Sequence, residues 1–165
     1  MEGYLGTNDN LKTAFDGESK AHMRYLAYAA TADRQGHKQA AKLFRALAES
    51  ERVHAQNHLL ASGEGGETED NISSAIDGET YEFTQMYPSF INQAEKEGNQ
   101  RAVASFRAAM AAEKAHAVLL SALLEHSGRE DDYYVCSVCG QTVTGNAPNK
   151  CPACGASGSK LKQVT

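Results

Sequence analysis

Glu51 and His54 stand three residues apart, and Glu113 and His116 repeat that spacing 62 residues later. On a helix, positions i and i+3 share a face, so each pair aims a carboxylate oxygen and an imidazole nitrogen at a common point. That is a geometry for holding a metal ion. Taken singly, a Glu-x-x-His pair is most often an ordinary solvated helix face. Here the surrounding pattern argues otherwise. Ala40, Phe44 and Leu47 recur at helical spacing and continue onto Glu51, His54 and His58, while Val103, Phe106 and Met110 lead to Glu113, His116 and Leu120. Both pairs are therefore expected to face inward. An unpaired buried carboxylate is costly enough that it neutralises or finds a cation. These stripes carry almost no Lys or Arg, which favours metal coordination over a core salt bridge.

The elements that must position these residues are four helices. The first runs from Asn8 to about Gln35, with Thr7, Asn8 and Asp9 as candidate caps and a stop at Gly36. His37 to about Ala61 forms the second and ends at Ser62-Gly63. An acidic, Gly-rich linker follows to Asp70. The third helix starts at Asn71 and reaches about Glu97, with a kink or irregularity expected at Pro88. Gly98-Asn99 turns the chain into the fourth, which ends between His126 and Gly128. The segments Asn10–Glu18 and Asn71–Glu79 match at a shift of 61 residues, whereas Gly36, Phe44, Glu51 and His54 match Gly98, Phe106, Glu113 and His116 at a shift of 62. One residue is thus inserted in the second copy, and Pro88 suggests the place. A repeat of this period marks a duplicated helical hairpin, and two hairpins make a four-helix bundle. The register also exposes Glu18, on the stripe of Leu11, Ala14, Phe15 and Tyr25, and its twin Glu79, on that of Ile72, Ile76, Met86 and Phe90. One Glu on each of the first and third helices, with Glu-x-x-His on the second and fourth, is the ligand set of a carboxylate-bridged di-iron or di-manganese bundle.

All four cysteines fall in the last thirty residues, as Cys136-x-x-Cys139 and Cys151-x-x-Cys154. Two such knuckles make a tetrahedral four-thiolate site. Zinc and iron both suit it, and a structural zinc ribbon is the plainer alternative. Beside a di-metal centre iron is favoured, since an Fe(Cys)4 site passes single electrons. The charged stretch from Ser127 to Asp132 reads as a hinge. With 16 basic against 21 acidic residues and a net charge of −5, neither nucleic acid nor an anionic membrane is an expected partner. The first ten residues have no basic start or apolar run, and nowhere do eighteen apolar residues follow one another. A soluble, cytoplasmic protein is expected.

Over nearly its whole length the chain resembles the rubrerythrin family, whose members join a ferritin-like di-iron bundle to a rubredoxin-like domain. The resemblance rests on Gly17-Glu18-Ser19, Glu51-Arg-Val-His54, Gly78-Glu-Thr-Tyr-Glu82 followed by Met86-Tyr87-Pro88, Glu113-Lys-Ala-His116 and the two cysteine knuckles. It implies a mainly α fold, with the four-helix bundle over residues 1–128 and a small rubredoxin-like (zinc-ribbon-like) domain over 133–165. It implies that Glu51 and Glu113 bridge two irons, that Glu18 and His54 serve one and Glu79 and His116 the other, and that Glu82 is a further, movable ligand. The position matching Glu82 in the first repeat is Ala21, so the two halves are unequal there. Tyr25 is expected to hydrogen-bond a ligand carboxylate, with proton donation as a secondary role beside Glu82. His22, His37, His58 and His126 are weaker ligand candidates. The activity implied is reduction of hydrogen peroxide to water, with electrons relayed through Fe(Cys)4 from reduced rubredoxin or an NAD(P)H-linked reductase, in a homodimer. The rival readings are a ferroxidase or iron-handling protein and a non-catalytic electron carrier.

Overall fold

The computed structural model describes residues 6–126 and 130–165. Part of the expected hinge, residues 127–129, and the start of the N-terminal segment lie outside the described residues. The chain divides into two compact units, one ending at Gly66 and one beginning at Glu67.

The first unit is a hairpin of α1 (Thr7–Arg34) and α2 (Lys38–Ala61). Its seam is built from small side chains: Ala29, Ala32, Ala41, Ala48 and Ala55 are buried. Ala41, Ala48 and Ala55 lie seven residues apart, about two helical turns, so one narrow stripe of α2 lets α1 approach closely. Gly36 takes φ 79°, a left-handed conformation suited to glycine, and lets the His37 N–H reach back 2.9 Å to the Ala32 carbonyl. Arg45 joins Asp33 across the turn at 2.7 Å.

The second unit repeats this plan with α3 (Thr68–Tyr81), α4 (Tyr87–Lys96) and α5 (Gln100–Glu125). Gly98 has φ 69°, the Asn99 N–H reaches the Ala94 carbonyl at 2.9 Å, and Arg107 meets Glu95 at 2.6 Å. Each of these is the counterpart, 62 residues on, of a feature in the first turn. Between α3 and α4 the helix does not break. Residues Glu82–Met86 widen into one π-helical turn, and that turn holds the inserted residue, since one extra residue in a continuous helix is accommodated in this way. The insertion therefore precedes Pro88. Thr84 Oγ1 donates to the Thr80 carbonyl at 2.6 Å, giving that oxygen a partner inside the widened turn.

After α5 come three short antiparallel strands, β1 (Tyr133–Cys136), β2 (Thr142–Thr144) and β3 (Leu161–Val164), in the order β2-β1-β3. Their core is Cys136, Cys151 and Leu161, packed against Tyr134, Val143 and Ala156. Among the described residues no helix is long and apolar enough to cross a membrane.

One sequence expectation is altered. The stripes leading to Glu51 and Glu113 were expected to be buried, yet the buried residues of the helices are nearly all alanines, and on the first stripe Leu47 remains 36% exposed and the His54 side chain 53%. A two-helix seam covers only the narrow line between its helices. Larger apolar residues beside that line need a second layer of helices to bury them.

Candidate metal centre

Among the described residues three clusters of ligand-type side chains form, each with one donor atom per residue and all donors within 4.8 Å of one another: Glu18, Glu51 and His54; Glu79, Glu113 and His116; and the four cysteines. The first belongs to α1 and α2, the second to α3 and α5.

In the first set His54 Nδ1 lies 3.0 Å from Glu51 Oε2. Glu18 and Glu51 share a hydrogen bond, which raises the Glu18 carboxyl above its ordinary range and lowers that of Glu51, with His54 lowering Glu51 further. In the second set His116 Nδ1 lies 2.8 Å from Glu113 Oε2 and 3.6 Å from Glu79 Oε1. Burial pushes the Glu79 carboxyl up, and a hydrogen bond with Glu113 pushes it further. Both arrangements are pairs of carboxylates that sharing a proton stabilises and a cation would stabilise more. Two carboxylates and an imidazole fit a hard or borderline metal ion, and each His already turns Nδ1 toward the carboxylates.

The two histidines differ in what holds the other ring nitrogen. Nε2 of His116 lies 3.0 Å from Oγ1 of Thr142 on β2, so the small domain fixes the orientation of that imidazole. Metal-binding histidines commonly have such a partner on the far nitrogen. A cavity of about 320 Å³ opens beside it, lined by Glu79, His116, Leu120, Leu123, Tyr133 and Thr142.

The four thiolates pass a direct fit test. Tetrahedral bonds of about 2.3 Å separate sulfurs by about 3.8 Å, and Cys136–Cys154 and Cys139–Cys151 stand 3.9 and 3.6 Å apart. Cys136 is brought down to about 7, first by the Val138 backbone N–H, whereas burial pushes Cys139 up to about 12. The turn Gly140 N–H returns to the Cys136 carbonyl and Gly155 to Cys151, both at 2.9 Å. Both glycines have positive φ, 80° and 72°, so the two knuckles are alike in backbone as well as in sequence.

Glu82 opens the π turn and lies outside both three-residue clusters. Its charge is nevertheless felt at Tyr87, whose phenol is raised by burial and then by Glu113, Glu82 and Glu79. Tyr25 stacks on Phe44 with ring centroids 6.0 Å apart and touches Tyr28, and Tyr87 makes the matching contacts with Phe106, at 6.2 Å, and Phe90. Tyr87 is thus the repeat twin of Tyr25. The 62-residue shift already carried that information, but only the position of the insertion reveals which register applies. His22 places Nδ1 2.7 Å from the Ala48 carbonyl, a tie between α1 and α2, and joins no cluster.

Comparison with known proteins separates the helices from the cysteine segment. The family model described as Rubrerythrin matches residues 9–124, and the one described as Rubrerythrin, rubredoxin-like domain matches 134–162. Rubrerythrin-2 of Clostridium acetobutylicum is 34% identical, with 94% of this chain and 95% of the relative covered. Nigerythrin of Nitratidesulfovibrio vulgaris is 38% identical over 90% of this chain and 81% of its own. Among solved structures, partially reduced nigerythrin is similar with a TM-score of 0.59 at 31% identity, covering 99% of this chain and 89% of the other. The fold class is accordingly that of ferritin-like helices followed by a rubredoxin-like domain, and the ligand sets are those of a di-iron centre and a mononuclear four-cysteine iron site.

Proposed function

The chain belongs to the rubrerythrin family, and from that membership and the ligand sets we propose that it is a non-haem di-iron peroxidase reducing hydrogen peroxide to water. Glu18, Glu51 and His54 would hold one iron and Glu79, Glu113 and His116 the other, with Glu82 as an additional, movable ligand. When bound, the di-iron pair supplies the two electrons that cleavage of an O–O bond requires, and the four-cysteine iron restores them singly. Two protons are needed besides, since one peroxide then yields two waters. Glu82 and the phenols of Tyr25 and Tyr87 are the groups we assign to deliver them.

The observation that carries this reading over iron storage or ferroxidase chemistry is the connection between the two kinds of site. The Cys136 N–H donates to the Gln141 carbonyl at 2.9 Å, Gln141 is bonded to Thr142, and Thr142 Oγ1 meets His116 Nε2 at 3.0 Å. A route this short from a thiolate site to an imidazole of the other set has no purpose in a protein that only stores iron. The donor to the cysteine site is a reduced rubredoxin or an NAD(P)H-linked reductase, and the assembly is a homodimer in the cytoplasm.

The test is anaerobic. Fully reduced protein mixed with one equivalent of hydrogen peroxide should consume it within one turnover, faster than it consumes dioxygen, and then be re-reduced through the cysteine site. Faster oxidation of added ferrous ion by dioxygen, indifferent to loss of the cysteine site, would instead establish the ferroxidase reading.

A further inference from the structure

We infer that the cavity beside His116 is a pocket for alkyl hydroperoxides, ROOH, with the apolar group R lying along α5 and the peroxide end at Glu79 and His116, a reading that rests on the peroxidase function proposed above. The residues lining this cavity of about 320 Å³ come from α3, α5 and the small sheet, all within the second compact unit. It is polar at one end and apolar along its length. Glu79 and His116 belong to the ligand set, and from there Leu119, Leu120 and Leu123 carry the wall along α5, with Tyr133 of β1 beside them. Leu123 stands seven residues beyond His116, which is about two turns or ~10 Å.

Size and lining both favour an organic substrate. A water takes a share of about 30 Å³ in the liquid, so the cavity has room for about ten non-hydrogen atoms, and hydrogen peroxide leaves most of it unused. Pockets for organic molecules are mostly apolar, with a few polar groups that fix orientation. Nor does the helical hairpin itself require these leucines. At the 62-residue shift Leu119, Leu120 and Leu123 stand against Asn57, His58 and Ala61, so the first hairpin makes the same seam without them. Seating the small domain is not their whole role either, since packed contacts leave few voids larger than a water, and Leu123 lines the cavity while 37% exposed. The chemistry matches that of hydrogen peroxide with one oxygen carrying R. ROOH takes up two electrons, one from each ferrous ion, and two protons; the O–O bond breaks, and the products are the alcohol ROH and water.

The test mixes the iron-loaded, fully reduced full chain with hydrogen peroxide, tert-butyl hydroperoxide or cumene hydroperoxide, whose phenyl group reaches further along the leucines. Each methylene moved from water onto an apolar wall strengthens binding about fourfold when fully buried. Cumene hydroperoxide should therefore react about tenfold faster than tert-butyl hydroperoxide in second-order rate constant. Leu123→Asn should remove that preference yet leave hydrogen peroxide within about twofold, because hydrogen peroxide has no apolar group to bury. Leu119→Trp, which fills the cavity, should do the same should Leu123→Asn fold poorly. Binding is read without turnover on the zinc-loaded full chain: cumyl alcohol, the product, should shift the methyl NMR signals of Leu120 and Leu123 in the wild type and leave them in place in Leu119→Trp. Reduction of hydrogen peroxide with no preference between the two alkyl hydroperoxides overturns the inference and leaves the peroxidase reading standing. A preference that both leucine variants keep, or cumyl alcohol that leaves the leucine signals of the wild type unmoved, overturns the pocket. Reduction of no peroxide at all overturns the peroxidase reading and the hydroperoxide inference with it.

Discussion

Replacing Glu113 by Gln preserves the side chain's shape and removes one negative charge from the second ligand set. Glu113 Oε2 stands 2.8 Å from His116 Nδ1, and the donors of Glu79, Glu113 and His116 all fall within 4.8 Å. A cation held among them sits within about 4 Å of that carboxylate, where two unit charges interact by about 4 kcal/mol at an effective dielectric near 20. A divalent ion doubles this to about 8 kcal/mol. About half is recovered, because the Gln amide oxygen still offers the cation a neutral lone-pair donor. The net loss of about 4 kcal/mol corresponds to roughly a 10³-fold weaker site. Anaerobic titration of metal-free protein with ferrous ion against a chelator measures it directly.

The same substitution makes a second, opposite expectation that separates lost ligation from lost folding. The Glu79 carboxyl is raised in the folded chain, so its contribution to stability is present below the unfolded value of about 4.5 and is lost as pH rises through the folded value. Removing the Glu113 charge lowers Glu79 toward its ordinary range. Metal-free Glu113→Gln should therefore be at least as stable as the wild type at neutral pH, and its Glu79 should titrate at lower pH by NMR. An iron affinity within tenfold of wild type, in a protein that melts normally, would refute the placement of Glu113 as a metal-holding carboxylate.

Cys151→Ser should abolish steady-state peroxide reduction with an external donor yet leave a single reaction of pre-reduced protein intact; stopped-flow mixing under both regimes decides it. Thr142→Val removes the hydroxyl at His116 Nε2, a hydrogen bond worth about 1 kcal/mol, and should slow electron delivery from the cysteine iron while leaving that iron's own spectrum unchanged. Equal re-reduction rates would show that Thr142 plays no part in the route. At Gly158 an added methyl would run into the Pro148 carbonyl, so Gly158→Ala should destabilise the small domain by about 1–3 kcal/mol, read as earlier thermal bleaching of its visible absorption. Iron loading should weaken as pH falls through the raised values of Glu18 and Glu79, above the range of an ordinary carboxylate, which titrations at stepped pH will show.

The ligand chemistry was legible in the sequence because it depends on local rules. Helical period places Glu51 with His54 and Glu113 with His116, the duplication picks out Glu18 and Glu79 from other acids, and knuckle spacing groups the four cysteines. The hairpin turns at Gly36 and Gly98 were legible for the same reason, since a glycine stop and its backbone closure lie within a few residues. Other features required the tertiary structure. The inserted residue, expected near Pro88, sits just before it in the π turn at Glu82–Met86, where a helix absorbs an extra residue without breaking. Tyr87 emerged as the twin of Tyr25 only once that register was known. The Thr142 hydroxyl meets His116 across 26 residues of sequence, through a docking that no periodicity encodes. The exposed stripes show the same limit: amphipathic pattern tells a helix which face to bury, whereas what covers that face is not written in its period.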